Sequence, residues 1–68
     1  MMDESEYYSL FKAALERQNK NLAAEFERRL AETGSPRWMW LWLDQLRQNG
    51  KLPAELEKPL SDFYSLCF

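Results

Sequence analysis

The sequence predicts an all-α fold, and three observations predict it. The chain contains no Val and no Ile, and Thr33 is its sole β-branched residue. Its apolar content is Leu, Ala, Met and aromatic side chains. β-Branched residues favour strands, whereas Leu, Ala and Met favour helices. Finally, apolar residues recur at spacings of three, four and seven along most of the chain, the period of an amphipathic helix.

The first helix is predicted over about 5–32. Asp3 and Ser5 are good N-caps, and Asp3 with Glu6 has capping-box spacing. Tyr8, Phe11, Leu15, Leu22, Phe26 and Leu30 fall within about 100° of one another on a helical wheel. No Gly or Pro appears before Gly34. The polar stretch Gln18-Asn19-Lys20-Asn21 leaves the phase intact, so one long helix is expected; the alternative is a helical hairpin broken at Asn19 to Asn21. Off the main face, Leu10, Ala13, Ala14, Ala24 and Ala31 form a small-residue stripe. That stripe suits either a close helix contact or plain helix propensity.

Gly34-Ser35-Pro36 marks a boundary. Gly suits the left-handed position after a helix, Ser an N-cap, and Pro the first helical residue. The second helix is predicted over about 36–48, ending at Asn49-Gly50. Trp38, Met39, Trp42, Leu43 and Leu46 share one face of it and are assigned to the core. Trp40 and Leu41 lie on the other side, beside Arg37, Asp44, Arg47 and Gln48, where Trp40 either packs on a neighbouring part of the first helix or meets another chain, the second being the reading adopted.

A short turn follows at about 53–57, opened by Pro53. Proline is disfavoured inside a helix, so Pro59 is read as the start of a final helix over about 59–67. Leu60, Phe63, Tyr64 and Cys67 have the i, i+3, i+4, i+7 spacing of a buried face. The expected architecture is a bundle of three helices in a single domain over 1–68, without internal repeat or linker.

At 68 residues, such a domain buries only about 60% of the surface its unfolded chain exposes. Cys67 is the only cysteine and there is no His. Neither an internal disulfide nor a zinc site is available, and no metal or cofactor is expected. A second subunit is the support that remains, which makes a homodimer the expected state.

Nine basic and eleven acidic side chains leave a net charge of −2, which makes nucleic acid an unlikely partner. The charge is uneven. Residues 17–51 carry Arg17, Lys20, Arg28, Arg29, Arg37, Arg47 and Lys51 against Glu25, Glu27, Glu32 and Asp44, and both ends are acidic. The longest apolar run is Trp38 to Leu43, against about 20 residues for a membrane span. The acidic opening Met1 to Tyr8 is not a signal peptide, and Cys67 does not fit a prenylation box. A cytoplasmic protein with a reduced thiol is expected.

Catalysis finds no constellation here. Without His there is no Ser–His or Cys–His pair. Gly34 and Gly50 are the only glycines, so there is no phosphate-cradling loop. Cys67 reads as a core thiol. Glu16 with Lys20, Glu25 with Arg29 and Arg28 with Glu32 have the i, i+4 spacing of solvated helix pairs. The chain is expected not to be an enzyme.

The sequence therefore points to a small protein-interaction module, expected as a homodimer that binds a larger protein and modulates or inhibits it. Its contact residues are predicted as Trp40, Leu41, Arg37 and Arg47, with Arg28 and Arg29 on a charged rim. In size and composition the chain is similar to small helical accessory proteins of phages and plasmids, a likeness that no motif carries. The alternative is a small DNA-binding regulator of helix-turn-helix type. Against it, the second helix shows Trp40 and Leu41 where base-reading side chains belong.

Overall fold

The computed structural model describes residues 2–68. The all-α expectation holds: among these residues there are four α-helices, one 3₁₀ turn and no strand. α1 spans Glu4–Gln18, α2 Lys20–Thr33, α3 Pro36–Gln48 and α4 Glu57–Cys67, with the 3₁₀ turn at Ala54–Leu56.

The predicted long helix over 5–32 is two helices, and the expected count of three becomes four. Asn19 alone makes the break. Its backbone is extended, with φ −162° and ψ 114°. Its N–H donates to the Leu15 carbonyl at 2.7 Å, closing α1, and its own carbonyl accepts from Leu22 N at 3.1 Å, opening α2. Its side chain accepts from Asn21 N at 2.9 Å. Asn is a poor helix former and a strong N-cap, because its short amide competes for backbone N–H groups. Continuity of apolar phase cannot reveal such a break, since each helix of a hairpin needs only its own period. One predicted ion pair is lost with the long helix: Lys20 no longer stands one turn beyond Glu16.

α1 and α2 fold back on each other as an antiparallel hairpin. Phe11 meets Phe26 with ring centroids 6.4 Å apart, and Lys12 pairs with Glu27 across the two helices. Asp3 caps α1, accepting from Glu6 N at 2.9 Å as its spacing predicts. Gly34 ends α2 at φ +60°, donating its N–H to Leu30 O at 2.9 Å. A Cβ is strained in that left-handed region.

α3 begins at Pro36, as predicted, and Ser35 supplies its carbonyl to Met39 N at 3.1 Å rather than a side-chain cap. The last helix starts two residues earlier than expected, at Glu57. Pro59 is then its third residue. In the first turn a missing N–H costs nothing, because those groups have no intrahelical partner.

α3 and α4 form a second pair, laid against the first. The core between them holds the fully buried rings Phe11, Phe26 and Phe63 with Leu15, Met39, Leu43 and Leu56. Tyr7, rather than Tyr8, points most deeply inward, 7% exposed and 5.1 Å from Phe63 between centroids. The small-residue stripe does not form one surface. Ala14 is buried in the core, while Ala13, Ala24 and Ala31 are exposed. Gln18 Nε2 donates to Lys51 O at 2.7 Å and Arg17 pairs with Glu55 at 2.9 Å, tying the end of α1 to the segment after α3 and to the 3₁₀ turn.

The Asn19 junction makes a direct prediction. Asn19→Ala removes the cap of α2 and is expected to lower stability by about 1 kcal/mol. Urea denaturation should show a lower midpoint with an unchanged slope.

Candidate functional site

Three tryptophans on α3 decide what the surface offers. At about 100° per residue, the buried residues Met39, Leu43 and Leu46 set a core direction about 35° away from the middle of the five-residue face predicted for this helix. Trp38 and Trp40 then flank the core on opposite sides at similar angles, and the neighbouring helix determines the fate of each.

Trp40 lies on the α4 side. It is half-buried, and its Nε1–H donates to the Leu60 carbonyl at 2.9 Å. Its ring stands edge-on to Tyr64 at 5.0 Å and to Phe68 at 5.5 Å. The expected placement of Trp40 is therefore corrected: it is neither packed on the first helix nor left on an uncovered face, because α4 and Phe68 cover it. Trp38, assigned to the core from the sequence, is instead 62% exposed. Trp42 is half-buried on the α2 side, 6.1 Å from Phe26, with the Arg29 guanidinium 5.6 Å over its ring.

Trp40 supports an aromatic step. Tyr64 and Phe68 stack on each other at 4.7 Å with an angle of 22° between their planes. They are 48% and 52% exposed, so Tyr64 leaves the buried face predicted for it. The Arg37 guanidinium sits 5.0 Å over the Phe68 ring, a cation–π contact that orders both partners. Beside the step a cleft of about 480 Å³ runs between α3 and α4, walled by Trp40, Tyr64 and Leu60 and rimmed by Asp44, Arg47 and Glu57. Arg47 is tied to Asp44 at 2.8 Å, so the rim is held in place.

The six predicted contact residues thus divide. Trp40, Arg37 and Arg47 come together along the α3–α4 seam. Leu41 lies outside them on α3, 39% exposed. Arg28 and Arg29 belong to a different surface, on α2. Arg28 is paired with Glu32 at 3.0 Å and Glu25 at 3.4 Å, and Arg29 with Glu25 at 3.0 Å. The Glu25–Arg29 and Arg28–Glu32 pairs are those predicted from spacing. The sequence reading missed Trp38, Tyr64 and Phe68. A signal was present for the last two, since Tyr64 and Phe68 are aromatics at i, i+4.

Two buried polar groups complete the picture. The Tyr8 ring stands edge-on to Phe26 and Phe63, and its buried hydroxyl, near Glu4, has no hydrogen bond among the described residues. Burial, with Glu4 close by, pushes its phenol well above the usual range. The half-buried Cys67 thiol donates to the Pro36 carbonyl at 3.3 Å. Burial pushes it up to about 11, with Glu4 adding to the shift and Arg37 opposing it. A thiol of that pKa is protonated at neutral pH and is a poor nucleophile.

No group of three His, Cys, Asp or Glu residues among the described ones is placed to hold a metal ion, and no helix is long and apolar enough to cross a membrane. Comparison with protein-family models, with curated proteins and with solved structures finds no match to this chain.

Proposed function

We propose that this chain is a small, non-enzymatic protein-interaction module that binds a larger protein and modulates or blocks it. The observation that carries this reading is the stacked Tyr64–Phe68 pair, half-exposed on the rigid support of Trp40. Exposed, contiguous apolar surface marks interaction sites. Aromatic rings beside Arg are the side chains that dominate binding energy at interfaces. Here the rings are already ordered by stacking and by Arg37, so little side-chain entropy is lost on docking. The partner fitting the adjoining cleft presents an apolar or aromatic side chain to Trp40 and Tyr64. Asp44, Arg47 and Glu57 at the rim set its orientation. A lone free cysteine, with no disulfide, suits a reducing compartment such as the cytoplasm.

Duplex DNA is the weaker reading. α3 would be the recognition helix, and its outward residues include Trp38 and Leu41, neither of which suits a base edge or a phosphate.

The test is affinity capture from a cell lysate with three forms of the chain. Wild type and Glu16→Lys, an exposed change on α1, should retain the same protein. Tyr64→Ala should weaken its retention about tenfold or more, the effect of removing an interface anchor. Retention of that protein by Tyr64→Ala together with its loss from Glu16→Lys contradicts the proposal. So does the absence of any protein retained specifically by wild type.

A further inference from the structure

Resting on the reading of the α3–α4 seam as a docking surface, we propose that its occupant is one amphipathic helix of the larger protein. That helix carries apolar side chains at i, i+3 or i+4 and i+7, between an acidic residue at one end and a basic residue at the other. The seam has the build of a groove for a helix. Glu57, Ser61, Tyr64 and Phe68 stand at i, i+4, i+7 and i+11 in the α4 segment, one exposed row along its side. Arg37, Trp40, Asp44 and Arg47 form the facing row on α3. The two rows run in opposite directions, since Arg37 meets Cys67 and Phe68, whereas Asp44 and Arg47 share the cleft with Glu57.

Hydrogen bonding selects a helix over an extended chain. The Trp40 Nε1–H is already engaged by the Leu60 carbonyl at 2.9 Å, and the Cys67 carbonyl faces Arg37 Nε at 3.5 Å. The other main-chain groups of the two rows bond along their own helices. Only the side-chain hydroxyls of Ser61 and Tyr64, on the α4 edge, are left to offer. A strand or a polyproline segment brings main-chain groups that need partners. A helix satisfies its own and presents side chains alone.

Length agrees. From Arg37 to Arg47 the α3 row is about 15 Å long, the rise of about three helical turns. The cleft of about 480 Å³ beside Trp40, Leu60 and Tyr64 lies within that length. One apolar side chain of the docked helix fills it, and the next, a turn away, rests on the Tyr64–Phe68 stack.

Charge selects the ends of that helix. Arg37 and Glu57 are both exposed and stand at opposite ends of the seam. Neither makes an ion pair among the described residues. The seam's other two charges, Asp44 and Arg47, are bonded to each other and sum to zero. The groove is therefore positive at the Phe68 end and negative at the Glu57 end. An acid on the docked helix meets Arg37, whose planar fork is already held over the Phe68 ring, and a base meets Glu57. A helix with like charges at its two ends meets repulsion at one of them whichever way it lies, so the surface favours opposite ends.

The experiment selects a displayed library of random peptides, each about four helical turns long, on the immobilised full chain. Peptides that also bind Tyr64→Ala are discarded. Those that remain should carry apolar residues at helical spacing between an acid and a base, and should gain helical circular dichroism on binding. A selected peptide should bind Arg37→Glu about tenfold more weakly than wild type, and Glu57→Lys likewise. Exchanging the peptide's acid for Lys should restore binding to Arg37→Glu and weaken binding to wild type; exchanging its base for Glu should do the same with Glu57→Lys. A step merely disturbed by loss of the Arg37 contact would not be rescued in this way. Selected peptides that bind in an extended form, or that ignore both charge reversals, or that are not rescued, overturn the inference, and so does a selection that yields no Tyr64-dependent peptide. Each of these leaves the Tyr64-dependent capture of a larger protein standing, so the two readings fail separately.

Discussion

Phe63→Ala is expected to unfold the protein. The Phe63 ring is fully buried and stands 5.1 Å from Tyr7, 5.8 Å from Tyr8 and 5.3 Å from Phe11. It is the aromatic link from α4 to α1, and so joins the two helix pairs. Removing a buried Phe side chain costs about 3–5 kcal/mol. A domain of 68 residues has roughly 3–10 kcal/mol in all, at about 0.05–0.15 kcal/mol per residue. Loss of most helical circular dichroism at room temperature, or a melt displaced by tens of degrees, is the expected result. Phe63→Leu keeps most of the volume and should remain folded at a cost of about 1–2 kcal/mol. A cooperative melt of Phe63→Ala close to that of wild type contradicts the packing described.

The second large effect separates two tryptophans that lie two residues apart. Trp40→Ala removes a half-buried indole, its edge contacts to Tyr64 and Phe68, and the Nε1–H bond to Leu60 O. Together these are worth about 2–3 kcal/mol, below the full cost for a Trp in a core because part of the ring is already wet. Trp38→Ala removes a side chain that is 62% exposed and should change the stability of the monomer by about 0.5 kcal/mol or less. Thermal melts at low protein concentration, where association does not contribute, give the comparison. The reverse order of effects means that α3 is rotated about its axis from the orientation described.

That order could not be read from the sequence. The wheel of α3 correctly assigns Met39, Leu43 and Leu46 to the core, because any apolar triad at this spacing fixes a face. It misplaces Trp38 and Trp40 because both lie near the edge of that face, and residues there are buried or exposed according to the neighbouring helix. Tyr64 and Phe68 cover Trp40, and that contact spans 24 and 28 positions of sequence. The all-α class was legible in the missing Val and Ile. The start of α1, the end of α2 and the start of α3 are legible in Asp3, Gly34 and Pro36, each of which acts locally, Asp3 through its capping carboxylate and the other two through their backbone. The break at Asn19 contradicts the single long helix that the unbroken phase favours, since both halves of the hairpin present the same period. Pro59 misled by two residues, because a first-turn proline suits the first position and the third alike. Of the contact residues, Trp40, Arg37 and Arg47 do converge, whereas Arg28 and Arg29 are engaged with Glu25 and Glu32 on α2. The aromatic step escapes the sequence because spacing alone puts Tyr64 on the buried face of its helix, whereas it is 48% exposed.

The central claim is that the Trp40–Tyr64–Phe68 step is the surface on which a larger protein docks. The most direct measurement is a ¹H–¹⁵N correlation titration of the labelled full chain with the protein retained in the capture experiment. The claim predicts that the largest changes fall on the amides of Leu60 to Phe68 and of Arg37, together with the Trp40 indole N–H, whose bond to Leu60 O lies directly beneath the step. The outer face of α1, at Ser9, Ala13 and Glu16, should stay unchanged. Changes concentrated on α1 and α2, with α4 and the Trp40 indole unmoved, contradict it.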